Sequence, residues 1–520
     1  MPRSDKHVFR RPDGETLESL AADIGLSLTP NERDDYETLV SGAIDGLAGI
    51  EQGPSFDPGL EPVTLDGRER GYRPTVDEDP LNAWITKGEV RGETDGPLSD
   101  VTVGVKDSIA VAGYEMTAGS RVLEGFVPRI DASVVSRLLE DGATIAGKLN
   151  MESFAWSGRG DISDFGPVEN PHGENRLPGG SSSGSAAAPA NDECDVALGT
   201  DQAGSVRIPS SWCGLVGLKP THGLVPYTGT LPLEVSLDHI GPMAPTVDLV
   251  ATALDAIAGV DVVDGIQLDQ RQPRSLETDS YADSVDDNIE SLSIAVLEEG
   301  FGWEFSESEV DDAVRDTAAT FEDLGVSCET VSVPIHRRGV SAWAAIASQG
   351  GRRLLREGGV GTNHTGWTWT RLARALKSAL DARTDELPPT VKRSLLAGEF
   401  LADTYGVEPY AKGRNVAMAA RQMYDEILAE HDALLLPTTA TRAFEGPAAF
   451  DRVDALEREI QTIVNTCPFN LTGHPAVSVP CAKPDGLPVG AMLVGSRFDE
   501  TTLLALAGAY ERATEWEDQP

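Results

Sequence analysis

A serine that follows a tight turn at the end of a strand can sit where successive backbone N–H groups converge. Ser205 has that setting in Gly199-Thr-Asp-Gln-Ala-Gly-Ser-Val-Arg-Ile-Pro-Ser. Donors held near a developing negative charge need no reorganisation during reaction, which is what an oxyanion hole requires. The stretch is not the G-x-S-x-G elbow, because Val206 and Arg207 follow Ser205. A serine nucleophile needs a base, and two readings stay open. His222 and His239 lie downstream and could serve with a carboxylate behind them. Lys106, in Gly104-Val-Lys-Asp-Ser-Ile, closes an apolar run. A lysine so placed must pair with an acid or lose its charge to desolvation, and a neutral amine can take a proton. A third stretch, Pro178 to Ala188, is dense in glycine and serine and opens into alanines. A flexible linker does not run into good helix formers, and neither phosphate-cradling glycine pattern is present.

These residues need rigid elements to hold them. Val101 to Val105 reads as a short buried strand, about 132–140 as a helix, 143–148 as a second strand and 194–199 as a third, an alternation that predicts an α/β sheet. Strand signals return at Ala433-Leu-Leu-Leu-Pro, Ala476-Val-Ser-Val-Pro and Val489-Gly-Ala-Met-Leu-Val-Gly, with a closing helix near 501–513, so the sheet is assembled from both ends of the chain. Residues 1–75 carry apolar positions at helical spacing and read as a helical N-terminal extension, leaving 76–520 as the catalytic domain. Residues 262–290 turn polar and acidic, as a surface loop does; about 307–430 is mostly helical by periodicity, and 290–430 is expected to cap the site.

The charge balance narrows the partners. With 84 acidic against 42 basic residues the formal net charge is -42. Such a field repels nucleic acid and anionic membranes. Nine of the basic residues are lysines and the acid is scattered, a balance suited to concentrated salt, where screening over a few ångströms relieves self-repulsion. The expectation is a halophilic protein. Five widely spaced cysteines without a C-x-x-C pair point to reduced thiols and a cytoplasmic location. No signal pattern and no long apolar stretch is seen, so neither secretion nor membrane anchoring is expected.

Taken in order, Gly-Val-Lys-Asp, Gly-Gly-Ser-Ser-Ser-Gly-Ser, Gly-Thr-Asp-x-x-Gly-Ser and Cys213-Gly-Leu-Val-Gly-Leu-Lys-Pro-Thr resemble the amidase signature family, with 75 positions from Lys106 to Ser181 and 24 from there to Ser205. The likeness continues through Ser236-Leu-Asp-His-Ile-Gly-Pro-Met and Asn470-Leu-Thr-Gly-His-Pro-Ala, and spans roughly 80–515. It implies a large mixed β-sheet covered by helices on both faces. It also implies an acyl-enzyme on Ser205, with Ser181, behind a cis peptide bond, relaying its proton to Lys106. The N–H groups of Gln202, Ala203, Gly204 and Ser205 would form the oxyanion hole, with Gln202 and Gly180 near the substrate amide. Many members have Gly-Gly-Ser where this chain has Ala203-Gly204-Ser205, a departure that adds a methyl to the turn. The resemblance favours hydrolysis of small aliphatic or aromatic carboxamides to acid and ammonia, without metal or organic cofactor, and is compatible with a homodimer. The alternative is the glutamine-hydrolysing component of a tRNA-dependent amidotransferase.

Overall fold

Short apolar runs become strands when both of their faces can be buried, and such runs form the centre of an eleven-stranded sheet among the described residues. The computed structural model describes residues 9–51, 62–65, 68–92, 95–263, 265–359, 364–446 and 451–516. The strands are β1 (Trp84–Arg91), β2 (Thr102–Lys106), β3 (Thr144–Leu149), β4 (Val196–Asp201), β5 (Val216–Lys219) and β6 (His239–Ala244). A separate two-stranded hairpin follows, β7 (Val262–Val263) with β8 (Ile266–Gln267), and then β9 (Ser293–Leu297), β10 (Ser327–Val331), β11 (Ala433–Pro437), β12 (Ala476–Ala482) and β13 (Val489–Gly495). The order across the large sheet is β1-β3-β2-β4-β6-β5-β12-β13-β11-β9-β10. It is mixed: β3, β2 and β4 run parallel, as do β11, β9 and β10, while the strands between them pair antiparallel.

The central strands β4, β5, β6, β11, β12 and β13 are buried at every position. Helices cover both faces: β12 and β13 each pack against Arg207–Cys213 and against Glu500–Ala513, and β6 against Ser183–Ala190 and Val247–Ile257. The expected α/β sheet built from both ends of the chain is therefore present. Strands β1, β5 and β6 carried no strand signal strong enough to read beforehand.

Two expectations change. Residues 290–430, read as a helical cap, also contribute β9 and β10 to the sheet. Ser293-Ile-Ala-Val-Leu is too short an apolar run for periodicity to separate strand from buried helix, and β10 is a half-exposed edge strand. The helical part is Ser308–Asp323 and then Gly339–Glu357, Thr370–Arg383, Pro389–Tyr405 and Glu408–Leu428. The acidic stretch 262–290, read as a loop, holds the small hairpin and the helical turn Tyr281–Ser284.

By spatial compactness the chain divides into Met1–Leu60 and Glu61–Pro520. In the first unit the helix Pro30–Gly46 starts with a capping box between Thr29 and Glu32, and Arg11 pairs with Asp45 at 2.7 Å. Parts of the expected N-terminal extension, 1–8, 52–61 and 66–67, lie outside the described residues. Among the described residues no helix is long and apolar enough to cross a membrane.

Candidate active site

Parallel neighbours end at the same edge of a sheet, so β2 and β4, paired Val105 to Leu198, deliver Lys106 and the loop after Asp201 to one place. Lys106 is fully buried and its amine is surrounded by oxygens. Its Nζ lies 2.8 Å from Ser181 Oγ, 2.8 Å from Ser182 Oγ, 2.8 Å from Thr200 Oγ1 and 3.3 Å from the Thr200 carbonyl. Burial pushes its pKa well below the ordinary lysine range, outweighing the opposite pull of Asp201 and Glu152. An uncharged amine both donates to hydroxyls and can take a proton from one. Ser181 is buried on the loop that leads into the helix Ser183–Ala190, and the Gly180–Ser181 peptide is cis. A Cβ on Gly180 would lie 2.8 Å from Glu152 Cγ and 3.0 Å from the Ser157 carbonyl, so only glycine fits there.

The loop after β4 is braced by an ion pair between two buried groups. Arg207 donates through Nε and Nη2 to the two carboxylate oxygens of Asp201, both at 3.0 Å, and Asn470 Nδ2 donates to Asp201 Oδ1 at 2.8 Å. Burial alone would raise the Asp201 carboxyl, but Arg207 holds it at about 2. The turn between these partners carries Gln202, Ala203, Gly204 and Ser205. None of their four N–H groups donates to a protein acceptor among the described residues. Three of their carbonyls and the Gln202 amide nitrogen are engaged: Trp343 Nε1 donates to Gln202 O at 2.9 Å, Gln202 Nε2 to Tyr227 Oη at 2.8 Å, Thr466 Oγ1 to Ala203 O at 2.5 Å, and Ile208 N to Gly204 O at 2.7 Å. The loop is thus held through carbonyls and the Gln202 side-chain amide, while its four backbone donors stay unengaged among the described residues. Gly204 has φ +141°, and a Cβ there would overlap Thr466 Oγ1. Ala203 keeps a negative φ, so its extra methyl is accommodated without strain.

Ser205 is 5% exposed and lies on a pocket of about 30 Å³ lined by Ala155, Trp156, Leu233, Trp343, Ile463 and, at its polar end, Ser157, Gln202 and Glu459. No hydrogen bond joins Ser205 to Ser181 among the described residues, so the lysine–serine half of the constellation is closed and the serine–serine half is open. The two histidines are elsewhere in their bonding. His239 Nδ1 meets the Leu237 carbonyl at 2.7 Å, and His222 Nε2 meets the Val235 carbonyl at 3.0 Å. Burial keeps both neutral, His222 at about 3. Among the described residues neither is bonded to Ser205, and neither has a carboxylate behind it. Nor is any group of three His, Cys, Asp or Glu side chains among them arranged to hold a metal ion.

The profile of the family described as Amidase matches residues 81–504. The chain belongs to the amidase family. It is an enzyme that acts on amides. This amidase is 38% identical over 444 residues to an enantioselective amidase of Rhodococcus rhodochrous, covering 85% of this chain and 84% of that one. It is 39% identical to the A component of the glutamyl-tRNA(Gln) amidotransferase of Natronomonas pharaonis, covering 82% and 99%. Among solved structures, the corresponding amidotransferase component of Thermotoga maritima matches with a TM-score of 0.70 at 30% identity, over 85% of this chain and 90% of that one.

Sequence reading missed Trp156, Trp343, Glu459 and Ile463, which meet at the pocket from three distant segments with no shared motif. It also missed the role of Asp201 and Arg207, although opposite charges six positions apart around a glycine turn were a readable signal.

Proposed function

We propose that this amidase hydrolyses small carboxamides to carboxylic acid and ammonia, with Ser205 as nucleophile, Ser181 as proton relay and Lys106 as base. The observation that carries the reading is the buried Lys106 amine, low in proton affinity and 2.8 Å from Ser181 Oγ, beside the loop of Ser205. Ser205 attacks the amide carbon while its proton passes through Ser181 to Lys106. The undonated N–H groups of Gln202, Ala203, Gly204 and Ser205 receive the oxyanion, and Gly180 leaves room for the substrate amide. The relay then protonates departing ammonia, and water repeats the sequence on the acyl-enzyme. Closing the relay requires Ser205 Oγ to turn toward Ser181 when substrate binds, a tightening common to sites without substrate.

The pocket beside Ser205, about 30 Å³, is small, which supports a compact acyl group over a bulky one. Its aromatic and aliphatic walls support an apolar one. The second reading is the glutamine-hydrolysing amidotransferase component, supported by relatives of equal identity bearing that name. Glutamine brings an α-carboxylate, and among the described residues the lining of this pocket includes no lysine or arginine to meet it. Five free thiols, four of them buried, support a cytoplasmic location, and the net charge of -42 supports dependence on salt.

Purified protein in high and low salt, offered acetamide, benzamide, a bulky arylamide and glutamine, tests the reading. The expected result is release of ammonia from acetamide or benzamide, faster in high salt. Preference for glutamine overturns it.

A further inference from the structure

The proposed reaction leaves Glu152 unused, although it lies against both Ser181 and Gly180. It follows β3, immediately precedes the short helical turn Ser153–Ala155, and is 1% exposed. Its backbone N–H donates to the Ser181 carbonyl at 3.1 Å. Its side chain fills the space behind Gly180, the contact that confines position 180 to glycine. Glu152 Oε1 accepts from the Ile162 N–H at 2.8 Å; the Ser157 hydroxyl lies close to the carboxyl, but Oε2 meets no donor in good hydrogen-bond geometry among the described residues.

The charged groups around it come from three segments. Asp161 and Arg159, joined at 2.5 Å, follow on the same loop. Lys106 faces it from the end of β2, and Glu459 lies beyond the Arg159–Asp161 pair, on the helix Arg452–Thr462. Burial first, and then the Asp161 charge, raise the Glu152 carboxyl far above the ordinary carboxylate range. A buried carboxylate with one bare oxygen is costly, whereas the acid form carries no net charge to leave uncompensated.

We propose that Glu152 is a positioning residue of this site, acting as an uncharged carboxylic acid that holds the Gly180–Ser181 segment and keeps negative charge away from Lys106. An ionised Glu152 would raise the proton affinity of the amine and oppose the oxyanion that forms on the substrate carbonyl. A neutral one does neither. The inference rests on the Lys106–Ser181–Ser205 reading, so its test carries a separate control for that reading.

Glu152→Gln, Glu152→Ala and Ser205→Ala are assayed across pH on acetamide or benzamide, whichever the parent turns over faster, with thermal melting of each variant alongside. Glutamine is the uncharged isostere, so Glu152→Gln keeps kcat within about threefold of the parent. Because the raised carboxyl is an acid below its pKa and a carboxylate above it, the parent loses activity on the alkaline side, and Glu152→Gln lacks that decline. Glu152→Ala loosens the segment and lowers kcat on the order of 10²-fold with little change in KM. Inactivity of a folded Glu152→Gln, or persistence of the alkaline decline in it, overturns the proposal. So does a parental rate in Glu152→Ala; if that variant does not fold, the Gln profile alone decides. Activity in Ser205→Ala is a different failure, that of the nucleophile assignment itself.

Discussion

The floor of the site and its walls are built in opposite ways. The floor, Lys106, Ser181 and the 201–207 loop, comes from elements adjacent in the sheet, with four oxygens within 3.3 Å of the lysine amine and the loop clamped by a buried ion pair. The walls, Trp156, Leu233, Trp343 and Ile463, come from loops and helices far apart in the chain, and meet the floor mainly through packing and one indole bond to the Gln202 carbonyl. Directional bonds between neighbouring strands fix atoms to a fraction of an ångström, as proton transfer demands. Packing tolerates exchange of one apolar side chain for another, as adaptation to different acyl groups demands.

Floor substitutions should therefore remove turnover and wall substitutions should redirect it. Ser205→Ala is expected to lower kcat by at least about 10⁴-fold with the fold intact, measured by ammonia release. Lys106→Ala should fall nearly as far. It should also lose the acid limb of the pH profile, because the depressed amine is a base only above its own pKa. Parental profiles in Lys106→Ala would erase the contrast in favour of another base, and His222 and His239 variants are the check, expected to keep the mechanism.

The next effect is on stability. Asp201→Ala leaves Arg207 buried without its counter-charge and should cost about 3–5 kcal/mol, read from urea unfolding. In the parent the Asp201 carboxyl is held at about 2 against a usual 3.8, so its contribution is complete above about 4 and is lost as pH falls through that interval. A flat acid stability profile would show that the loop is not held by this pair.

Gly204→Ala should cost about 1–3 kcal/mol from its φ and from the overlap with Thr466, and lower kcat more than it raises KM. Smallest of all, Ile463→Ala should leave kcat for acetamide nearly unchanged and improve kcat/KM for a bulkier arylamide about tenfold. If it abolished turnover on every amide, the division between floor and wall would fail.

How legible each part was follows from the same contrast. Strand β11 was readable residue for residue because Ala433-Leu-Leu-Leu-Pro is an unbroken apolar run, whereas β6, beginning His239-Ile-Gly-Pro, carries a proline and a glycine that read as loop. Lys106 stood out because a lysine closing an apolar strand has few tolerable fates. Glu152 did not, because Asn150-Met-Glu-Ser resembles any polar turn until Gly180 is seen against its side chain.

The amino-acid sequence by itself determined the family, the sheet at both ends of the chain, and the candidate nucleophile and base, because each is written in contiguous residues whose chemistry is local. Only the tertiary structure decided that β9 and β10 extend the sheet, that neither histidine reaches Ser205, and which distant apolar side chains bound the pocket. Those depend on which distant segments share a surface. Burial energy is non-directional, so no short stretch of sequence records its partner.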